Sequence, residues 1–284
     1  MLPAFSGPDS SPRHPTGGHG NHRSPQLGLQ SPPAALSDLL YFAQNSSILL
    51  RVAARQCNLQ HPSMSIGDNI RQVNTRIAAA ARRAARSPTE ITTIAVTKTI
   101  EPAAIREAFG CGIRHFGENR VQEAKAKIDG LDDLQPPPTW HMIGHLQTNK
   151  VRTALDLFDT VHSVDSVRLA QVMSRNARQD IPVLIQVNVS GETTKSGIRP
   201  QEVAVATAEI AILPHLHVVG LMTIAPLTPD TEEVRPLFRE LRRLRDSLGL
   251  RHLSMGMTDD FEVAIEEGAT MVRIGRAFFG SERR

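Results

Sequence analysis

Short apolar runs alternate with amphipathic stretches from about residue 64 to the C-terminus, and this alternation limits the chain to a few architectures. The segment 65–68 precedes an amphipathic stretch that ends at Arg86 and predicts an opening helix. Eight strands that alternate with helices are the count of a (β/α)8 TIM-type barrel, an α/β fold. The alternative is a doubly wound open sheet, but no GxGxxG motif follows an early strand. The predicted strands are 91–98, 112–118, 139–146, 160–164, 181–189, 216–224, 252–257 and 271–278, with helices near 102–109, 119–129, 147–156, 166–178, 200–212, 231–248 and 259–267.

Residues 1–63 differ in composition and are predicted to be an extension outside the barrel, which spans 64–284. The first 35 residues are rich in Pro, Gly, Ser and His. They cannot bury enough apolar surface to offset the entropy lost on ordering, so we expect disorder. The only acidic residues of the segment are Asp9 and Asp38, and poverty in acids is a feature of transit peptides. No clear amphipathic arginine helix accompanies it, so we favour an extension without function, or a translation start assigned upstream of Met64.

The composition excludes several classes of protein. Hydrophobic residues make up 40% and charged residues 21%, as in ordinary globular proteins. The net charge of +3 comes from dispersed basic residues, which indicates solvated helix faces rather than a nucleic-acid surface. Cys57 and Cys111 lack CxxC spacing, which argues against a disulfide framework or zinc ribbon and fits a reducing compartment. No apolar run approaches the about 20 residues of a membrane span. We therefore expect a cytoplasmic protein that binds neither nucleic acid nor membrane.

Lys98 ends the first predicted strand, in the sequence AVTK. In a TIM-type barrel, the ligand site is built from the C-terminal ends of the strands and the loops that follow them. Burial of an amine at the barrel mouth disfavours the ammonium form and lowers its pKa, which makes the free amine available to attack an aldehyde. The alternative is a lysine whose amine reaches solvent at the rim.

The last two predicted strands carry residues suited to binding an anion. Arg273 interrupts the apolar run of the eighth strand, so its guanidinium is expected to point into the barrel mouth or to pair with an acid. Gly275 permits close approach of a ligand, and its amide and that of Arg276 are available as anion donors. Thr258 is predicted to be the N-cap of the helix after strand seven. The loops after strands seven and eight are the usual phosphate site of TIM barrels.

Two further segments bring polar residues towards the mouth. Asn119 and Arg120 are expected at the start of the helix after strand two. His141 and His145 lie in the segment of strand three, either as inward polar groups or as core histidines with satisfied hydrogen bonds. Their spacing fits no familiar metal site on a strand and the HExxH motif is absent, so no bound metal is expected.

Seven sequence blocks resemble the YggS/PROSC-type pyridoxal phosphate homeostasis proteins, in the same order and from about Met64 to the C-terminus. They are AVTK at 95–98, FGENRVQE at 116–123, HMIGHLQTNK at 141–150, KSGI at 195–198, GLMTI at 220–224, LSMGMTDDFEVAI at 253–265 and VRIGRAFFG at 272–280. The resemblance implies a barrel like the N-terminal domain of bacterial alanine racemase, standing alone, with pyridoxal 5′-phosphate (PLP) as its cofactor.

The resemblance also implies which residues bind PLP. Lys98 would form a Schiff base with it, and Arg273 would hydrogen-bond the pyridine nitrogen. Thr258 and the amides around Gly275 and Arg276 would hold the phosphate. The family usually has serine where Thr258 stands, which keeps the hydroxyl and adds a methyl group. The remaining implied residues are Ser254 and Gly256 near the phosphate, and Asn119 and Met222 along the pocket.

An arginine at the pyridine nitrogen favours a carrier over an enzyme. Arginine is a permanent cation that cannot accept a proton, so the ring stays neutral and draws substrate electrons weakly. Related racemases use a tyrosine from a second domain as the opposite base. Here the single tyrosine is Tyr41, in the unmatched extension, and no second domain is expected. We therefore predict a monomeric PLP-binding protein, not an enzyme, that serves intracellular PLP homeostasis and delivers PLP to apo-enzymes.

Two other functions fit the same residues. One is a weak racemase-like PLP enzyme that acts through Lys98, and another is a Schiff-base aldolase without a cofactor. Lys195, in the loop sequence GETTKSG, is either a secondary PLP site or a solvent lysine.

Overall fold

The computed structural model describes residues 65–192 and 194–280, which form a closed barrel of eight parallel strands. The strands are β1 Thr92–Val96, β2 His115–Glu118, β3 Thr139–Met142, β4 Thr160–Val164, β5 Ile181–Gln186, β6 Leu216–Met222, β7 His252–Met257 and β8 Met271–Ile274. Each strand pairs with the next, and β1 pairs with β8 to close the sheet. The predicted (β/α)8 fold is confirmed. The predicted extension, 1–63, lies outside the described residues.

Helices precede, separate and follow the strands, as the alternating pattern predicts. They are α1 Ile66–Arg83, α2 Pro102–Gly110, α3 Val121–Asp129, α4 Val151–Leu157, α5 Val167–Asn176, α6 Val203–Ala211, α7 Arg235–Ser247, α8 Phe261–Glu266 and α9 Arg276–Phe279. Within the described part of the chain, no helix has both the length and the apolar character needed to cross a bilayer.

The predicted opening helix is present as α1, which includes residues 66–68 and ends at Arg83 rather than at Arg86. Ser65 is the N-cap of α1, and its hydroxyl oxygen accepts a hydrogen bond of 3.0 Å from the backbone N–H of Asp68. Ile70, Val73 and Ile77 are buried, and their spacing of three and four residues places them on one face of the helix. The capping bond and the apolar face together explain why α1 forms here and packs with that face inward.

The first and last strands end earlier than predicted. β1 stops at Val96 rather than at residue 98, and β8 stops at Ile274 rather than at residue 278. After Gly275 the chain turns into α9, because the N–H groups of Phe278 and Phe279 donate to the Gly275 carbonyl oxygen at 2.9 and 3.1 Å. Phe278 is fully buried. Apolar runs alone cannot distinguish a strand end from a short helix that is also buried.

Candidate functional site

Two neighbouring cavities lie at the C-terminal ends of the strands. Their volumes are about 380 Å³ and about 710 Å³, within the range of small-molecule sites. Lys98 and Arg273 line both cavities, so the structure brings together the two residues that the sequence singles out for chemistry. The residues common to both cavities are Val96, Lys98, Lys195, Ile224, Met257 and Arg273.

Six of the nine residues in the predicted PLP-binding set reach these cavities. The larger cavity is lined by Lys98, Thr258, Arg273, Gly275 and Arg276. Asn119 lines the smaller one. Arg273 lies on β8, and the other five follow β1, β2, β7 or β8, which barrel closure makes neighbours.

The other three residues of the predicted set lie behind the cavity wall. Ser254 is fully buried and accepts a hydrogen bond from Arg273. Gly256 has a φ of 89°, and a Cβ there would stand 2.5 Å from the Cβ of Ala264. Its glycine therefore lets α8 pack closely on β7. Met222 is fully buried on β6, in register with Ser254.

Lys98 stands at the rim of the barrel, in a turn rather than on a strand. The N–H of Ile100 donates to the carbonyl oxygen of Thr97 at 3.0 Å, and Thr99 has a φ of 60°, which branched residues rarely adopt. Of the two alternatives for Lys98, the structure shows the lysine that reaches solvent at the rim, since the residue is exposed. The reason is the early end of β1 at Val96, which places Lys98 beyond the sheet.

A buried ion pair fixes the strand end that precedes Lys98. Glu118 is fully buried, and its Oε1 accepts hydrogen bonds from the Thr97 hydroxyl at 2.6 Å and from Lys127 Nζ at 2.7 Å. Lys127 Nζ also donates to the Thr97 carbonyl oxygen at 2.5 Å. β1, β2 and α3 are therefore tied together directly beneath the lysine. The sequence analysis did not predict this ion pair, although a glutamate that ends an apolar strand is a detectable signal.

Arg273 crosses the floor of the cavities as a buried cation. It is 4% exposed, and its Nη1 and Nη2 donate to Ser254 Oγ at 2.7 Å and to the Thr223 carbonyl oxygen at 2.8 Å. Among the described residues it makes no ion pair, and the negative charge that acts on it is that of Asp260. Burial lowers the pKa of Arg273 to about 10, so it stays charged at neutral pH. Of the two expected arrangements, the structure shows the inward guanidinium.

Thr258 lines the larger cavity but is not a helix cap. The N-cap of α8 is Asp260, and the predicted capping role of Thr258 is wrong. The carboxylate of Asp260 accepts the N–H of Met257 at 2.5 Å, which closes a turn over these residues and starts the helix later. Burial raises the pKa of Asp260 above its ordinary value. In the same cavity, the guanidinium of Arg276 pairs with Asp259.

Three histidines and Ser254 link Arg273 to the opposite end of the barrel. The nitrogen pairs His115 Nδ1–His141 Nε2 and His141 Nδ1–His162 Nε2 are each 3.0 Å apart. His162 Nδ1 lies 2.9 Å from Ser254 Oγ. Because β4 and β7 are not adjacent in the sheet, this last contact crosses the barrel interior. Of the two alternatives for His141, the structure shows the core histidine with satisfied hydrogen bonds, and the link between the three histidines was not predicted.

The remaining polar residues predicted at the mouth take surface positions. His145 is exposed and its Nδ1 lies 3.0 Å from Asp165, so it does not join His141. Arg120 is exposed and pairs with Glu123 at 3.0 Å. Among the described residues, no cluster of His, Cys, Asp or Glu could hold a metal ion.

Lys195 shares both cavities with Lys98. Its Nζ donates to Glu192 Oε1 at 2.7 Å, within the loop after β5. The position of this amine beside Lys98 agrees with the predicted secondary PLP site. An ion pair such as that with Glu192 is equally typical of a surface lysine.

The cavities can accept a small anionic ligand that carries a carbonyl group. Lys98 supplies a primary amine, and Arg273 supplies a buried cation that makes no direct ion pair among the described residues. Gly275 precedes α9, and the first N–H groups of a helix have no intrahelical partner and favour anions. A Cβ at Gly275 would come no nearer than 3.5 Å to Val96, so the protein's own packing does not require glycine here. These features define a ligand-binding barrel suited to a phosphorylated aldehyde.

Comparison with known proteins gives the family. The family described as alanine racemase, N-terminal domain, matches residues 69–283. A protein of Aquifex aeolicus named pyridoxal phosphate homeostasis protein is 44% identical over 229 residues, which cover 78% of this chain and 100% of the relative. PipY of Synechococcus elongatus PCC7942, solved with PLP bound, is 39% identical with a TM-score of 0.63, over 72% of this chain and 100% of PipY.

Alanine racemase of Corynebacterium glutamicum shares the fold, with a TM-score of 0.54 at 21% identity over 75% of this chain and 61% of the racemase. The chain thus belongs to the alanine racemase N-terminal-domain family and, within it, to the pyridoxal phosphate homeostasis proteins. The family predicted from the sequence blocks is confirmed.

Proposed function

We propose that this chain binds PLP covalently on Lys98 and holds it for delivery to apo-enzymes, as part of PLP homeostasis. The observation that carries the proposal is that Lys98 and Arg273 line the same two cavities at the C-terminal face of the barrel. The names of the relatives and the PLP bound to PipY support the same cofactor. The functional domain in this proposal is 64–284.

Lys98 supplies the covalent link. Its Nζ would hold PLP as a Schiff base, since a primary amine and an aldehyde condense to a C=N bond with loss of one water. The exposed position of Lys98 suits a carrier, because an amine of a recipient protein can reach the same carbon and displace the lysine. The hydrogen bonds among Thr97, Glu118 and Lys127 hold in place the strand end that precedes Lys98.

Arg273 holds the pyridine nitrogen in this proposal. A guanidinium has five N–H donors and no acceptor. Two of its nitrogens each already donate one hydrogen bond, to Ser254 and to the Thr223 carbonyl oxygen, which leaves other N–H groups for the ligand. Because Arg273 donates but does not protonate the ring nitrogen, it supports binding without strong electron withdrawal.

The phosphate is assigned to the hydroxyl of Thr258 and to the amides of Gly275 and Arg276. All three residues line the larger cavity. The Arg276 guanidinium is already paired with Asp259, so its amide rather than its side chain is the proposed donor. Ser254 and Gly256 support this wall from behind, and Asn119 and Met222 complete the surroundings.

We propose a carrier rather than an enzyme because the described lining of both cavities contains no tyrosine, the residue that related racemases use as the opposite base. The single tyrosine of the chain, Tyr41, lies outside the described residues. The alternative is a weak racemase-like activity that uses Lys98 alone. The proposed state is a cytoplasmic monomer, and light scattering of the purified protein tests the monomer.

Reductive trapping tests the proposal. The purified protein is mixed with PLP, treated with borohydride, and examined by visible absorption, intact mass and peptide mapping. We expect one adduct on Lys98, which is lost in Lys98→Ala and kept in Lys125→Ala, a surface control on α3. A colourless protein with no adduct on Lys98 overturns the proposal, and removes the reason to prefer PLP over a cofactor-free aldolase. Turnover of an amino acid above about 1 s⁻¹, the low end of ordinary enzymes, favours the racemase alternative.

A further inference from the structure

The histidine chain, defined as His115, His141 and His162 together with Ser254, contacts Arg273 at one end and approaches the opposite end of the barrel at the other. His141, His162 and Ser254 are at most 2% exposed. The successive contacts are 3.0, 3.0 and 2.9 Å, and Arg273 Nη1 donates to Ser254 Oγ at 2.7 Å. Four strands of the barrel, besides β8, thus contribute one polar side chain each to the histidine chain.

Arg273 determines which atom donates in each hydrogen bond of the histidine chain. Arg273 can only donate, so Ser254 Oγ accepts its N–H. The hydroxyl of Ser254 has one proton, and His162 Nδ1 is its only acceptor among the described residues. If His162 Nδ1 carried a proton instead, Ser254 would accept twice and its own proton would be buried without a partner, which folded proteins avoid.

The donor and acceptor roles of the remaining histidine nitrogens follow from that of Ser254. A neutral imidazole that accepts at Nδ1 carries its proton on Nε2. His162 Nε2 therefore donates to His141 Nδ1, and His141 Nε2 donates to His115 Nδ1. Burial lowers the pKa of His141 to about 3, and burial also lowers the pKa of His162 well below its ordinary value, so both rings are neutral at pH 7.

We propose that His162, acting through Ser254, is a positioning residue for Arg273. All three histidines carry their proton on Nε2, which keeps a lone pair of Ser254 Oγ directed at the guanidinium. The arrangement anchors the rear of Arg273 and leaves its remaining N–H groups for the cavity. The role towards the ligand rests on the proposed function, whereas the proton positions do not.

Nitrogen NMR of the PLP-free protein tests the proton positions. In histidine-labelled protein, we expect His141 and His162 to be neutral, with Nε2 protonated and Nδ1 bare. The signals are assigned with His162→Asn and His141→Asn. In Arg273→Met, Ser254 no longer receives a proton from arginine, and we expect the tautomer of His162 to become mixed. A proton on Nδ1 of His162 in the unsubstituted protein overturns the proposal, whether or not PLP binds.

The bound state tests the positioning role. Ser254→Ala removes the link but little volume, and we expect release of PLP about tenfold faster, the loss typical of one hydrogen bond to a charged group. We also expect a shift in the visible absorption of bound PLP. His162→Asn, whose side-chain oxygen can replace Nδ1 as acceptor, is expected to stay near the unsubstituted protein. His217→Asn, an exposed histidine that pairs with Asp180, is the control.

The outcomes separate the two proposals. If Ser254→Ala keeps both the release rate and the spectrum while Lys98 still forms its adduct, the positioning role is wrong and the proposed function stands. If unsubstituted protein forms no adduct, the proposed function fails, and the NMR result still decides whether Arg273 directs the histidine chain.

Discussion

Loss of Lys127 should destabilise the barrel far more than loss of a neighbouring surface lysine. Lys127 Nζ and the Thr97 hydroxyl satisfy Glu118 Oε1, while Glu118 Oε2 accepts no hydrogen bond among the described residues. The Lys127 side chain is 12% exposed and that of Glu118 is 0% exposed. Lys127→Met therefore leaves a buried carboxylate without its cation, a change that costs about 3–5 kcal/mol in comparable buried pairs.

Urea unfolding followed by circular dichroism measures this loss. Lys125→Met is the matched control, because Lys125 lies on the same helix and pairs with Asp129 at 2.9 Å, with both side chains 58% exposed. An exposed pair contributes about 0–1 kcal/mol. The double variant Glu118→Gln, Lys127→Met should recover part of the loss, since the unpaired charge is gone. Equal losses in Lys127→Met and Lys125→Met would refute the reasoning.

Three further predictions concern the barrel and its mouth. Gly256→Ala should lower stability by about 2–4 kcal/mol, since it combines a left-handed φ with a Cβ 2.5 Å from Ala264, and thermal unfolding measures it. The folded pKa of His141, about 3, lies below its ordinary value of 6.5, so the unfolded chain binds more protons between these values. Its contribution to stability is then lost as pH falls below about 6.5, by up to about 1.4 kcal/mol per pH unit, and urea unfolding of His141→Asn should show a correspondingly weaker pH dependence. If Lys195 is a secondary site, Lys195→Ala should slow PLP transfer to an apo-enzyme, and unchanged transfer kinetics identify a solvent lysine.

The sequence predicts the barrel well because strand and helix patterns are local. β4 and β7 begin and end where the apolar runs do, and all eight strands are present. The errors lie where the chain leaves a strand. Lys98 and the segment after Gly275 continue apolar runs, yet a turn and a short helix follow, since backbone hydrogen bonds rather than hydropathy decide these ends.

The histidine chain shows what local patterns cannot reveal. His115, His141 and His162 come from three strands separated by long stretches of sequence, and no spacing rule relates them. Their contacts depend on the register of neighbouring strands, in which His141 lies beside Gly117 and Thr160. Register in a parallel barrel is set by packing of the whole sheet, so these contacts need the folded structure.

The choice of arginine at position 273 affects the whole barrel interior, not only the ligand. With a guanidinium there, Ser254 must donate towards His162, and each histidine in turn takes the same tautomer. A carboxylate at position 273 would instead accept the Ser254 proton, and Ser254 would then need a donor from His162, which reverses the tautomers through His141 to His115. If PLP binds as proposed, a change from a neutral to a protonated ring nitrogen therefore requires reorganisation of a buried network as well as one substitution. Under the proposed function, the network that holds the arginine in place also disfavours a protonated ring and the strong electron sink that such a ring provides.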